Sequence, residues 1–146
     1  MNVRPSAIIF NNNSILTLRY CYGEKQVYAL PGGNPDSGEC LSDALARELD
    51  EELGITAKVN TMVFSGEVLW PELGRETLHM VFETDIITGI PELNPEQTTA
   101  LEIVWIPLNE LETKLMYPNI GTHIAAFYKK TISPGHIGII DQPYIQ

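Results

Sequence analysis

The stretch GNPDSGECLSDALARELDEELGI, residues Gly33 to Ile55, decides the fold. Its second half predicts a helix over Leu41 to Leu53, because helix formers dominate there and Gly54 stands where a C-terminal cap belongs. At about 100° per residue, with Leu41 at zero, Leu45 falls at about 40°, Leu49 at about 80° and Ala44 at about 300°. That arc faces a core. Asp43 and Asp50 fall at about 200° and about 180°, on the solvated side. Glu48 falls at about 340°, Glu52 at about 20° and Glu51 at about 280°, inside or beside the apolar arc.

Three carboxylates therefore point toward the protein. Glu48 and Glu52 are i,i+4 neighbours, and Glu48 and Glu51 are i,i+3 neighbours, so their charges repel and partial burial adds to the cost. Arg47 is one cation against three anions. Clustered carboxylate oxygens suit a hard divalent cation such as Mg²⁺. Two readings of the helix stay open on this ground alone, a metal site at one end and a Glu-rich solvated face. Asp43 and Asp50 already supply a solvated face, which weighs toward the metal.

The rest of the composition sets bounds. With 146 residues the chain reads as one domain, residues 1–146, large enough to fold without a disulfide or a structural metal. Apolar residues make up 44% and charged residues 19%, an ordinary globular balance. Nine Lys and Arg stand against 19 Asp and Glu, a net charge of −10, which argues against a nucleic-acid polymer or a membrane surface as partner. Between Asp36 and Glu52 seven acidic residues face Arg47 alone, so this stretch carries six of the ten net negative charges. No apolar run is long enough for a membrane span or a signal peptide, and Cys21 and Cys40 alone make no disulfide framework. The expectation is a cytoplasmic protein with reduced thiols.

Outward from the helix, Ser6 to Phe10 and Ser14 to Tyr20 read as two strands joined into a hairpin by Asn11-Asn12-Asn13. Val27 to Leu30 is a third strand, ended by Pro31-Gly32-Gly33. Ala57 to Leu69, Glu76 to Ile87 and Leu101 to Ile106 are further strands. Asn119 to Lys130 reads as a last helix with Asn119 as its N-cap. This order suggests a mixed sheet with helices packed on it.

The stretch Gly33 to Ile55 resembles the Nudix box, Gly-x5-Glu-x7-Arg-Glu-U-x-Glu-Glu-x-Gly-U, with U a bulky aliphatic residue. Gly33, Glu39, Arg47, Glu48, Leu49, Glu51, Glu52, Gly54 and Ile55 occupy all nine specified places. At usage of about 6% per residue type, the seven fixed positions match by chance about once in a few hundred million starts. Tyr28 to Gly33 resembles the strand and loop that lead into the box. Glu102 to Leu111 resembles the strand and turn near the family's C-terminal end. Cys40 stands where many relatives carry Ser or Thr as the helix N-cap.

The resemblance implies an α/β fold, an α/β/α sandwich around a mixed sheet. It implies Mg²⁺- or Mn²⁺-dependent hydrolysis of a nucleoside diphosphate linked to a further group. Carried over position by position, Glu48, Glu51 and Glu52 match metal ligands, and the Gly32 carbonyl adds an oxygen. Arg47 and Glu39 match a supporting pair that orients the acidic side chains. Glu51 and then Glu102 are the candidates for general base. Gly32 and Gly33 lie where the substrate is held. Arg19 and Arg4 are candidates for its phosphates, with a solvated strand end as the alternative for each. Glu102 is otherwise a surface carboxylate near a strand start. Trp70, Tyr20 and Phe82 stack on a base or pack in the core, and His79 reads as structural. Arg75 and Lys25 fall in loops and read as solvent-exposed.

A normal or modified nucleoside triphosphate, cut to monophosphate and pyrophosphate, is the leading substrate. ADP-ribose or a nucleotide sugar is the alternative, and Pro71, 16 positions after Ile55, hints at it. A binding module without hydrolysis is the rival class, which usually loses one of the acidic ligands that this chain keeps. Many relatives are dimers, so a homodimer stays open.

Overall fold

The computed structural model describes residues 1–144. Strands β1 (Asn2–Ile8), β2 (Phe10–Asn11), β3 (Ser14–Tyr22) and β4 (Lys25–Ala29) precede helix α1 (Leu41–Leu53). Strands β5 (Thr56–Trp70), β6 (Arg75–Thr88), β7 (Glu102–Pro107) and β8 (Met116–Tyr117) lead to α2 (Gly121–Tyr128) and β9 (Gly135–Ile139). One mixed sheet runs β1-β6-β5-β9, and the other runs β2-β3-β4-β8 with β7 also paired to β3. They meet where Ser6 bridges Gly32 and the Ala7 amide donates to the Pro31 carbonyl at 2.9 Å.

Alternation along the strands explains the layers. Ala7, Ile9, Leu16 and Leu18 pack with Leu45, Leu49 and Leu53 of α1. The intervening Ile8 and Ile15 pack with Ile120, Ile124 and Ala125 around α2. The strands are thus covered on both faces, and the expected α/β/α sandwich is present with its central layer split into two mixed sheets. Among the described residues no helix is long and apolar enough to cross a membrane.

Helix α1 has the expected ends. Gly54 is left-handed at φ 67° and its amide closes the last turn on the Asp50 carbonyl. Cys40 is the N-cap residue and gives no side-chain cap bond. The expected hairpin is only partly present. Phe10 and Asn11 pair back onto Ile15 and Ser14 through Asn12 and Asn13, both at positive φ, as a two-residue hairpin turn requires. Residues 2–8 instead pair in parallel with β6, from Asn2 opposite Thr77 to Ile8 opposite Glu83. The last helix starts at Gly121, with Ile120 as its N-cap residue. Asn119 is spent elsewhere: its side chain accepts from the Met116 amide at 3.1 Å and donates to the Asp141 carbonyl at 3.0 Å.

Two local devices place α1. The Gly33 amide donates to the Pro5 carbonyl at 3.3 Å, and a Cβ on Gly32 would overlap that carbonyl and Ser6, so the glycine turn lies flat on β1. At the other end, the Glu92 amide donates to the Leu53 carbonyl at 3.0 Å and the Asn94 amide to the Glu52 carbonyl at 2.9 Å. The Asn94 side chain donates to the Glu51 carbonyl at 3.3 Å, so these residues satisfy carbonyls that a helix end leaves open.

Candidate active site

Arg47 is the hub of the acidic helix. Its Nε and Nη2 grip both Glu39 oxygens, at 2.8 and 2.9 Å. Its Nη1 donates to Glu48 Oε1 and Glu51 Oε2, both at 3.1 Å, and Nη2 also reaches the Asn34 carbonyl at 3.2 Å. A two-pronged Arg–carboxylate pair fixes direction as well as charge. Glu39 closes the arrangement by accepting the Asp36 amide at 2.9 Å. Its carboxyl is held down at about 2, first by the Arg47 hydrogen bond and then by that amide. Glu39 and Arg47 thus grip each other directly, and Arg47 in turn bonds Glu48 and Glu51.

Glu52 is different. It is half-buried beside Glu48 and Glu51, and it is absent from Arg47's bonds and ion pairs. Its carboxyl is pushed up to about 7, first by burial and then by the Glu48 charge, while Arg4 pulls it back down. The three glutamates thus form an anionic end that Arg47 does not balance. Among the described residues no three such side chains already converge on one point. Glu48 Oε2 and Glu51 Oε1 nevertheless stay off Arg47, and Glu48 packs so closely on Gly33 that a Cβ there would overlap its carboxylate. Hard anionic oxygens beside a glycine turn are a donor set that fits Mg²⁺ or Mn²⁺.

Next to this end opens a cavity of about 440 Å³. Arg4 and Tyr117 lie in its lining, with the Arg4 guanidinium carbon 5.6 Å from the Tyr117 ring centre. Tyr20 and Tyr22 stack with centroids 6.3 Å apart along one wall, and Trp70 and Tyr144 meet edge to face at 5.1 Å in another. Arg4's charge acts on Glu52 and on both Tyr20 and Tyr117, so the cavity and the acidic helix share one neighbourhood. Beside it His79 is fully buried, edge-on to Tyr117 at 5.0 Å, with neither ring nitrogen bonded. Burial, and then Arg4, push the imidazole down to about 4, so it stays neutral.

Arg4, Gly32, Gly33, Glu48, Glu51 and Glu52 are therefore brought together, with Arg47 behind them. Arg19 and Glu102 are not. They face each other across β3 and β7, bonded at 3.1 Å, and Arg19 also donates to Gln26 at 2.6 Å. Arg19 alternates with Tyr20, so this pair sits on the face of β3 opposite the cavity. Trp70 and Tyr20 line the cavity, while Phe82 packs under α1. Arg75 opens β6 and joins the cavity lining, although its position in the sequence reads as a free loop. Tyr117, Gln142 and Tyr144 also line the cavity. Tyr117 and Tyr144 carry no sequence signal beyond aromatic character in short segments, and Gln142 carries none.

A sandwich with a glycine turn feeding an acidic helix, beside an aromatic cavity, defines the class. The NUDIX domain family model matches residues 2–127, and the chain belongs to the Nudix hydrolase family. The NAD-capped RNA hydrolase NudC of Vibrio parahaemolyticus is 31% identical over 121 residues, 83% of this chain and 43% of that protein. An ADP-ribose pyrophosphatase of Methanocaldococcus jannaschii is 33% identical over 90 residues, 60% of this chain and 52% of that protein. The chain spans about half the length of these curated relatives. A MutT NUDIX hydrolase structure from Burkholderia pseudomallei has a TM-score of 0.70 at 27% identity, covering 85% of this chain and 94% of that one. The E. coli ORF135 protein shares the fold, with a TM-score of 0.72 at 24% identity over 90% of this chain and 91% of its own.

Proposed function

We propose that the chain hydrolyses a phosphoanhydride bond in a nucleoside diphosphate linked to a further group, using Mg²⁺ or Mn²⁺. One observation carries this reading: Glu52 is half-buried against Glu48 and Glu51 with too little positive charge around them. Glu48, Glu51, Glu52 and the Gly32 carbonyl would hold the cation. Bound there, it supplies charge screening for the diphosphate and a lowered pKa for water.

The chain's own residues do the rest. Arg47 and Glu39 lock the direction of Glu48 and Glu51. Glu51 is more open than Glu48, which supports it as the group that takes the proton of the attacking water. Arg4 binds a substrate phosphate at the floor of the cavity, and the base stacks among Tyr20, Trp70 and Tyr117. Arg19 and Glu102 have no part in the reaction, since they neutralise each other on the far face.

The substrate is a normal or modified nucleoside triphosphate, cut to monophosphate and pyrophosphate, for which a single cavity of about 440 Å³ gives room. ADP-ribose is the second reading, favoured by the ADP-ribose pyrophosphatase relative. We place the reaction in the cytoplasm and in a single domain. The exposed free thiols of Cys21 and Cys40 suit that reducing compartment.

The test is product release with Mg²⁺ across dNTPs, oxidised dNTPs, ADP-ribose, nucleotide sugars and dinucleoside polyphosphates. A strong hit that EDTA abolishes selects the substrate. Silence across the panel from a protein that binds Mg²⁺ would turn the reading to a nucleotide-binding module.

A further inference from the structure

Residues 128–144 lie beyond the span of the family match, yet Gln142, Pro143 and Tyr144 line the cavity. Strand β9 adds to the edge of β5, with Phe64 opposite Gly135 and Glu67 opposite Ile139. Ile140 is buried, and its amide donates to the Glu67 carbonyl at 2.8 Å. The chain then turns to the cavity and is tied down there. The Gln142 carbonyl accepts from Trp70 Nε1 at 2.9 Å. Its side chain accepts from the Asn119 amide at 2.7 Å and donates to the Met116 carbonyl at 2.9 Å. Its main-chain carbonyl thereby holds Trp70 at the end of β5, while its side chain holds Met116 and Asn119 on either side of Tyr117, which lines the cavity. Just beyond it the Tyr144 ring meets Trp70 at 68°.

We propose that this C-terminal segment is a built wall of the nucleotide site, with Tyr144 and Trp70 as an aromatic corner for the base and Gln142 as the residue that positions it. A surface tail kept only for packing would need Ile140 and the β9 ladder. It would not need a glutamine side chain bonded to both Met116 and Asn119 beside the cavity, or a tyrosine set edge-on against the tryptophan that lines it. The proposal rests on the nucleotide reading above and assigns affinity for the base to residues outside the acidic helix. The Gln142 side chain acts by anchoring the segment that carries Tyr144 to Met116 and Asn119, so it is a positioning residue.

The test is calorimetric binding of AMP, GMP, CMP and UMP without metal, followed by steady-state kinetics on the best substrate of the panel. The parent protein binds at least one monophosphate saturably. Tyr144→Ala weakens that binding about tenfold, the size of one lost base–aromatic contact, and the loss in turnover falls on KM rather than kcat. Tyr144→Phe, which keeps the ring, restores most of the affinity. Gln142→Ala gives a smaller loss of the same kind. Binding by Tyr144→Ala within twofold of a parent that binds well overturns this inference and leaves the nucleotide reading standing. So does a drop in Tm with unchanged KM, the mark of a merely structural tail. A parent that turns over a panel substrate but binds none of the monophosphates overturns this inference alone, and a parent that does neither overturns both.

Discussion

The acidic end of the candidate site draws Glu48, Glu51 and Glu52 from a single turn of α1, whereas the aromatic end draws its walls from β1, β3, β5, the segment around β8 and the tail. The two are also balanced differently. At the acidic end Arg47 bonds Glu39, Glu48 and Glu51, and Glu52, outside its reach, has its proton affinity raised by burial. At the aromatic end the buried polar atoms of Arg4 and His79 lack partners. Charge is fixed by local spacing in one half and shape by long-range assembly in the other. Variants at the acidic end should therefore alter the chemical step, and variants at the aromatic end should alter binding and stability.

Glu52→Gln carries the largest expected effect. Losing one anionic oxygen donor should lower Mg²⁺-dependent turnover by more than about hundredfold, beyond the usual cost of disturbing a ligand's supporting partner. Wild-type turnover in this variant would remove the acidic end from the reaction. The metal-free protein should respond in the opposite sense. The folded-state value of about 7 lies above the ordinary 4.5, so the wild type loses stability as pH rises from about 4.5 through about 7, and Gln does not titrate. With allowance for solvent screening, the variant should be about 1 kcal/mol more stable than the wild type at pH 8 by urea unfolding in EDTA.

Gly33→Ala tests the same end through shape. The added Cβ meets the tip of the Glu48 side chain, which can swing away without moving backbone. Stability should change little, while turnover falls about tenfold to hundredfold because a donor is displaced by an ångström or so. Equal losses in Tm and turnover would show that Gly33 serves the fold rather than Glu48.

His79 probes the other half. Its folded-state value of about 4 lies below the ordinary 6.5, so the unfolded chain takes up the proton first as pH falls. The neutral imidazole's contribution is complete above about pH 6.5 and is lost on descent toward pH 4. Between pH 7 and 4.5 the wild type should lose about 2 kcal/mol relative to His79→Phe in urea unfolding. A constant difference between the two proteins would mean that water reaches His79, against its full burial edge-on to Tyr117.

What the sequence disclosed follows the same division. Helix α1, its glycine cap and the inward turn of Glu48, Glu51 and Glu52 all depend on residues a few places apart, so a helical period exposes them. The parallel pairing of β1 with β6 depends on a strand more than seventy positions away, and a turn signal at Asn11–Asn13 speaks only for the hairpin next to it. The cavity is harder still. Tyr117 sits in a two-residue strand and Tyr144 follows the last one, so neither belongs to a segment long enough to show a period.

Arg19 and Glu102 give the smallest expected effect, and they test the face assignment most sharply. The family resemblance offers both as site residues, with a solvated strand end as the alternative for Arg19 and a surface carboxylate for Glu102, and the structure places Arg19 inside β3 and Glu102 at the start of β7. Alternation along β3 sends Tyr20 and Tyr22 to the cavity and Arg19 to the other side, where Glu102 faces it in the β3–β7 register. Glu102→Gln and Arg19→Ala should each leave kcat/KM within about twofold and cost no more than about 1 kcal/mol, the range for a partly exposed ion pair. A loss with Glu102→Gln comparable to that of Glu52→Gln would place the reacting groups on both faces of β3. One strand cannot present a single residue to both, so β7 would then have to approach α1 in the working enzyme.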